Sequence, residues 1–181
     1  VCTERIPERF GFDPLNQVQV LTPMHRGLTG SIHLNQRLQE VFNPTGDGIE
    51  FKQWQFRVGD KVMQQVNNYD KEVFNGDTGQ IREVNTETRE LRVEFEHTIV
   101  PYTASELDQL QLAYAISVHK SQGSEYAAVL LPLTHHHYLM LQRNLLYTAM
   151  TRGKELFVLI GTPEAIDQAV RTVGTLTRYT A

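Results

Sequence analysis

The 181-residue chain reads as an α/β domain on a parallel sheet, interrupted by a small inserted β-barrel. Three observations predict this. Short apolar strands alternate with amphipathic helices towards both ends of the chain. The middle, about residues 51–103, has no helical period and consists of short strand patterns and tight turns. The last strand candidate, Leu156-Phe157-Val158-Leu159-Ile160, is apolar throughout, as in a parallel sheet covered on both faces. The domains expected are residues 1–50 as the first part of the α/β domain, 51–104 as the insert and 105–181 as the remainder.

Residues 1–17, with two prolines and no periodicity, read as an extended lead-in. Val18-Gln19-Val20-Leu21-Thr22 is β-rich and closed by Pro23, a buried strand. A helix follows Gly27, because Leu28, Ile32, Leu34, Leu38, Val41 and Phe42 recur at helical spacing. Asn43-Pro44-Thr45-Gly46 stops it. In the insert, a strand over residues 56–66 breaks at Gly59-Asp60, and Asn75-Gly76 signals a hairpin. Leu91-Arg92-Val93-Glu94-Phe95-Glu96 alternates apolar and charged, a half-buried antiparallel strand. Trp54, Phe51 and Phe56 could stack bases, but their alternation favours the barrel core; Tyr69 and Phe74 flank the turn region instead. Beyond the insert come a strand over 110–116, a helical turn over 118–122, a strand over 127–131 and a helix over 139–150. Leu141, Leu145, Leu146, Ala149 and Met150 of that helix are available for a core. Thr162 then offers an N-cap, with Pro163 at the first position of a closing helix.

Composition is that of a soluble domain, 40% hydrophobic and 21% charged. No apolar run approaches the roughly 18 residues of a membrane span, so no membrane partner is expected. The single Cys2 allows no internal disulfide or cysteine zinc site, which suits a cytoplasmic setting. Net charge is −4, so a nucleic-acid role must come from placement of residues and not from their count. His135-His136-His137 cannot all face one ion from a regular element, and no metal site is expected. The chain opens Val1-Cys2-Thr3-Glu4, without an initiator Met, and reads as part of a longer protein.

Three stretches set polar residues at the ends of apolar strands, where open α/β sheets collect ligands at the carboxyl edge. In Leu21-Thr22-Pro23-Met24-His25-Arg26-Gly27, Arg26 is either an anion contact near a helix N-terminus or a solvated loop residue. Ser117-Val118-His119-Lys120-Ser121-Gln122-Gly123-Ser124-Glu125 is dense in donors suited to phosphate, with Glu125 suited to a hydroxyl; the alternative is a polar surface turn. In Leu146-Tyr147-Thr148-Ala149-Met150-Thr151-Arg152-Gly153, Arg152 closes a helix, where a cation is favourable in its own right by about 0.3–1 kcal/mol.

In order and spacing these stretches resemble motifs IV, V and VI of superfamily 1 helicases, most closely the RecD-like 5′-to-3′ DNA helicases, which include the exodeoxyribonuclease V α subunit. Gly59-Asp60-Lys61-Val62-Met63 and Phe74-Asn75-Gly76-Asp77-Thr78-Gly79 resemble the Src-homology-3-like 2B barrel of the same enzymes. The likeness covers roughly residues 6–172. It implies a RecA-like second motor domain of the P-loop-NTPase type with that barrel inserted. It further implies an ATP-dependent helicase that moves along single-stranded DNA and unwinds duplex in recombination or repair. Arg152 would be the arginine finger and Arg26 a second γ-phosphate contact, with Gln122, Gly123 and Glu125 facing the nucleotide. Thr22, Ser117, His119, Lys120 and Asn75 would face the DNA strand. Ser117 stands where many relatives carry Thr, keeping the hydroxyl.

No Gly-x-x-x-x-Gly-Lys-Ser/Thr occurs in the chain. ATP with Mg²⁺ is therefore expected to bind jointly with an N-terminal RecA-like domain, and this region alone to hydrolyse none. Other subunits of an exonuclease V-type complex are the further partners implied. The competing reading is a single-stranded nucleic-acid-binding module without motor activity, its arginines structural.

Overall fold

The computed structural model describes residues 1–96, 98–134 and 142–173. In chain order the elements are α1 (Arg5–Phe10), β1 (Val18–Thr22), α2 (Ser31–Phe42), β2 (Gly48–Phe51), β3 (Trp54–Arg57) and β4 (Lys61–Gln64). They continue with β5 (Thr78–Asn85), β6 (Glu90–Phe95), β7 (Thr98–Tyr102), a 3₁₀ helix (Ala104–Gln109), β8 (Leu110–Leu112) and β9 (Ala115–Ser117). The last four are β10 (Tyr126–Leu133), α3 (Arg143–Met150), β11 (Gly153–Gly161) and α4 (Pro163–Arg171). Two compact units result: Val1–Ser31 with Ile116–Ala181, and Ile32–Ala115.

The first unit is built on a four-stranded sheet of order β11-β10-β1-β9. β1 runs parallel to β10, and β10 to β11, with Val18 opposite Ala128 and Tyr126 opposite Gly153. All five residues of β1 are buried, as its apolar run requires. β11 is an edge strand and no residue of it is fully buried, so the expected fully buried strand is half-covered. On α3 only Ala149 is fully buried; Leu145 and Leu146 are half-buried and Met150 is 46% exposed. α4 starts as its sequence implies: the Thr162 hydroxyl accepts from the Ala165 N–H at 3.3 Å, and Pro163 fills the first turn. Residues 1–17 are not simply extended, because α1 forms there. Pro7 lies in its first turn, where it sacrifices no helical bond. Gly11, at φ 73°, closes it by donating to the Pro7 carbonyl at 2.8 Å.

The second unit carries an antiparallel sheet of order β7-β6-β5-β4-β8 and the hairpin β2-β3. Leu91, Val93 and Phe95 of β6 point inward in strict alternation and join Phe56, Val62, Met63, Ile81 and Tyr102 in the core. Trp54 and Phe56 are core residues, as their alternation implies. Gly79 lies where a Cβ would come within 2.5 Å of the Glu94 carbonyl, so two strands can approach there only over glycine.

Two strand expectations change. Asn75-Gly76 lies in the connection between β4 and β5, which do pair antiparallel, but it is not their two-residue loop; it is the centre of a turn closed by Asp77 N–H to Phe74 O at 3.0 Å, and Gly76 also donates to Gln64 O. The expected strand 110–116 is two strands in different sheets, broken at Ala113-Tyr114. The Ala113 N–H is taken by Lys61 O at 2.8 Å, and the Tyr114 hydroxyl by Asp60 Oδ1 at 2.8 Å. One residue on, Asn35 of α2 brackets Ala115: Nδ2 donates to its carbonyl at 2.7 Å and Oδ1 accepts its N–H at 2.8 Å.

Asp60 is fully buried and receives four donors. Gln39 Nε2 (2.6 Å) and the Arg57 N–H (2.7 Å) reach Oδ2, while Asn43 Nδ2 and the Tyr114 hydroxyl (both 2.8 Å) reach Oδ1. Burial pushes its carboxyl above the usual aspartate value, and these donors oppose the shift.

Candidate functional site

The candidate residues of the first unit fall at two ends of its sheet. At the carboxyl end of β1, the Val118 N–H donates to the Thr22 carbonyl at 3.0 Å, setting the start of the 118–125 turn against that strand. At the amino end of β10 and β11, Tyr126 pairs with Gly153, and the Tyr126 N–H donates to the Arg152 carbonyl at 2.8 Å. The turn therefore travels the length of the sheet, from Ser117 at one edge to Glu125 at the other. The expectation that all three stretches gather at the carboxyl edge is corrected: Glu125 and Arg152 precede their strands.

The turn holds itself. Ser121 N–H donates to Ser117 O at 3.2 Å, Gln122 N–H to His119 O at 3.3 Å and Ser124 N–H to Ser121 O at 3.1 Å. Ser117 Oγ accepts from the Lys120 N–H at 3.3 Å, and Ser121 Oγ donates to Val118 O at 2.7 Å. Ser117 is thus buried and committed to the turn. Gly123 has φ 88° with open space where a Cβ would stand, the left-handed geometry glycine allows. His119 and Gln122 are exposed. Lys120 is half-buried, and desolvation holds its ammonium below the usual lysine value.

Thr22 is also fully buried; its hydroxyl donates to Thr29 O at 2.6 Å and closes the loop after β1. On that loop Arg26 is exposed, and its guanidinium has no partner among the described residues. Its carbonyl lies 2.4 Å from where a Gly30 Cβ would stand, so the loop doubles back at Gly30. Asn75 belongs to the second unit; its N–H donates to Asn67 Oδ1 at 2.9 Å and the residue is exposed.

What the structure does bring together is Arg152 and the end of the turn. Arg152 Nη1 donates to Ser124 O and Nη2 to Thr151 Oγ1, both at 3.3 Å, and buried Nε has no partner among the described residues. Glu125 pairs with Lys154 at 3.1 Å across exposed surface. Burial raises the Tyr126 phenol, with Ser124 and the Arg152 charge opposing. Arg26 and Arg152 make no contact; one follows β1 and the other precedes β11. The half-buried Arg152 guanidinium, held through its Nη atoms at Ser124 O and Thr151 Oγ1 beside an open glycine turn, offers a fork of donors of the kind that meets phosphate oxygens. Among the described residues no group of three or more His, Cys, Asp and Glu could hold a metal ion. His135-His136-His137 lie outside the described residues. No helix among the described residues is long and apolar enough to cross a membrane.

Residues 34–95 match the family model of the ATP-dependent RecD-like DNA helicase SH3 domain, and residues 112–160 match that of the UvrD-like helicase C-terminal domain. The ATP-dependent RecD2 DNA helicase of Deinococcus radiodurans is 45% identical over 148 residues, which is 82% of this chain and 20% of that protein. The chain belongs to the RecD-like helicase family, as a C-terminal region. This RecD-like region is also 27% identical to the RecBCD enzyme subunit RecD of Mycobacterium tuberculosis, over 86% of this chain and 27% of that one. It spans less than a third of the length of either relative. Its fold is that of the Pif1 helicase from Bacteroides solved with ADP-AlF3 and ssDNA (TM-score 0.62, 17% identity, 96% of this chain and 46% of that one). The fold class is thus an α/β parallel-sheet domain carrying an SH3-like insert.

Sequence reasoning missed Asn35 and Asp60, which hold the segment entering β9. Asn35 reads as part of the polar face of α2 and Asp60 as part of a strand break, and neither pattern signals a buried side chain.

Proposed function

We propose that this RecD-like region is the C-terminal motor domain of an ATP-dependent DNA helicase that translocates on single-stranded DNA and unwinds duplex in recombination or repair. The observation that carries the reading is Arg152, its half-buried guanidinium held through Nη1 at Ser124 and Nη2 at Thr151 at the end of a glycine-containing turn. Bound with Mg²⁺ between this region and an N-terminal RecA-like domain, ATP would supply the phosphoryl group whose transfer drives the motor. Arg152 then meets charge on the γ-phosphate oxygens with a planar fork of donors. Gln122, Gly123 and Glu125 face the nucleotide from the far end of the turn. Arg26 supplies a further phosphate contact from the loop after β1. His119 and Lys120 grip strand phosphates; Ser117 and Thr22, both buried, shape the turn and loop that present them. Asn75, with the barrel over residues 51–104, braces the strand. Kinship with a RecBCD subunit supports assembly with other subunits of such a complex.

The test is Arg152→Ala in the intact parent protein. DNA-stimulated ATP turnover is expected to fall by about 10³–10⁵-fold, with DNA binding kept. Unchanged turnover would leave only the binding-module reading.

A further inference from the structure

We propose that the groove between the 118–122 turn and α3 is a nucleobase pocket, an inference that rests on the nucleic-acid reading above and extends it from phosphates to bases. The groove has a volume of about 330 Å³, within the range of small-ligand sites. Val118, which is buried, and half-buried Leu145 supply its apolar surface. Its polar lining is His119 and Gln122 from the turn, with Gln142, Asn144 and Thr148 from the start of α3.

That lining is the wrong chemistry for a phosphate. Among the described residues its lining holds no lysine or arginine, and His119 is the one ionisable side chain there. It is well matched to a base. A carboxamide presents a donor and an acceptor in one plane, the pattern that pairs with base edges, and an imidazole offers a face for stacking. The side chains of Gln122, Gln142, Asn144 and His119 make no hydrogen bond among the described residues, so three carboxamides stand uncommitted around one groove. The Thr148 hydroxyl, by contrast, is spent on the Asn144 carbonyl at 2.8 Å. Lys120, next to His119 in the chain, gives the phosphate of the same nucleotide a cation.

The base belongs either to the DNA strand or to a free nucleotide, and the experiment separates the two. In the intact parent protein, single abasic sites are scanned through the shortest saturating single-stranded oligonucleotide. One position is expected to lose affinity by about 5- to 100-fold. In Gln122→Ala/Asn144→Ala that positional loss collapses to less than about two-fold, the size of the coupling then reporting the base contact. Gln122→Ala alone, on an exposed turn, repeats the test should the double variant melt early. If instead the abasic profile is unchanged by substitution and the affinity for ATP falls in Asn144→Ala alone, a residue outside the nucleotide-facing set, the pocket holds the nucleotide's base. Affinity that ignores base removal, with ATP binding also unchanged in the variants, overturns the pocket and leaves the phosphate-binding reading standing. Failure of the unsubstituted protein to bind DNA or ATP at all overturns both.

Discussion

Asp60→Ala tests whether a single buried carboxylate holds the second unit's polar centre. Four donors converge on it, two at each oxygen. Gln39 Nε2 and Asn43 Nδ2 each keep a second acceptor, the carbonyls of Gln55 at 2.7 Å and Val58 at 2.9 Å. The larger loss falls on the Arg57 N–H and the Tyr114 hydroxyl. With about 1–3 kcal/mol for each buried donor that loses its acceptor, the variant is expected to lose about 3–5 kcal/mol. At a urea m-value of about 2 kcal/mol/M this moves the midpoint down by about 1.5–2.5 M. Asp60→Asn is expected to fall between. Its amide can face Tyr114, whose hydroxyl can turn to accept, but then Asn43 meets a donor; flipping the Asn43 amide would cost its bond to Val58. Urea unfolding at pH 7, followed by far-UV circular dichroism, reads the order. Losses under about 1 kcal/mol in both variants would refute the claim that this network holds the unit together.

Three further outcomes follow from single contacts. Asn35→Leu leaves both backbone groups of Ala115 unmet in a buried position and is expected to cost about 2–4 kcal/mol in the same unfolding assay. Thr162→Ala removes the cap of α4 and is expected to cost about 0.5–2 kcal/mol, with early loss of α4 amide protection in hydrogen exchange. Lys120 has a folded value depressed by desolvation, so its burial penalises the fold while it is charged. That penalty disappears as pH rises through the folded value towards its ordinary 10.5. Lys120→Met is therefore expected to raise the melting temperature near pH 7, the gain over the unsubstituted chain shrinking towards pH 10.5. The same variant is expected to reduce the salt slope of DNA binding by about 1.

How far the sequence could be read depended on whether a feature was periodic. β1, α2, β6 and α4 follow from apolar spacing and one capping threonine, and all four are present. α1 is not legible, because Pro7 reads as a breaker unless its place in the first turn is known. The break at Ala113-Tyr114 is not legible either: residues 110–116 pattern as one strand, and only Asp60, Lys61 and Asn35, distant in sequence, divide it. The Asn75-Gly76 turn does lie between two antiparallel strands, β4 and β5, but inside a longer connection, since a dipeptide specifies a turn and not the length of the loop around it. At the site, the sequence supplies residue types. Exposure was beyond them: Thr22 and Ser117 offer hydroxyls in sequence, yet both are buried, one closing its loop and the other its turn.

Arg152 admits a bland account, a cation at a helix C-terminus, and the geometry argues against it. The last turn of α3 is already satisfied: Tyr147 O accepts the Thr151 N–H at 3.0 Å, Thr148 O the Thr151 hydroxyl at 3.0 Å and Ala149 O the Arg152 N–H at 3.2 Å. The guanidinium turns away from these carbonyls to Ser124, at a distance near the outer limit of a useful hydrogen bond. Its Nη2 goes to the Thr151 hydroxyl, so neither guanidinium contact caps the helix carbonyls. Arg152→Lys separates the two accounts. It keeps the charge at the helix end, so melting of this region is expected to change by no more than about 1 kcal/mol. A lysine cannot reproduce the planar fork, so DNA-stimulated turnover of the parent is expected to fall nearly as far as in Arg152→Ala. Turnover preserved with lysine would show that position 152 needs only a positive charge, and the arginine-finger assignment would fail.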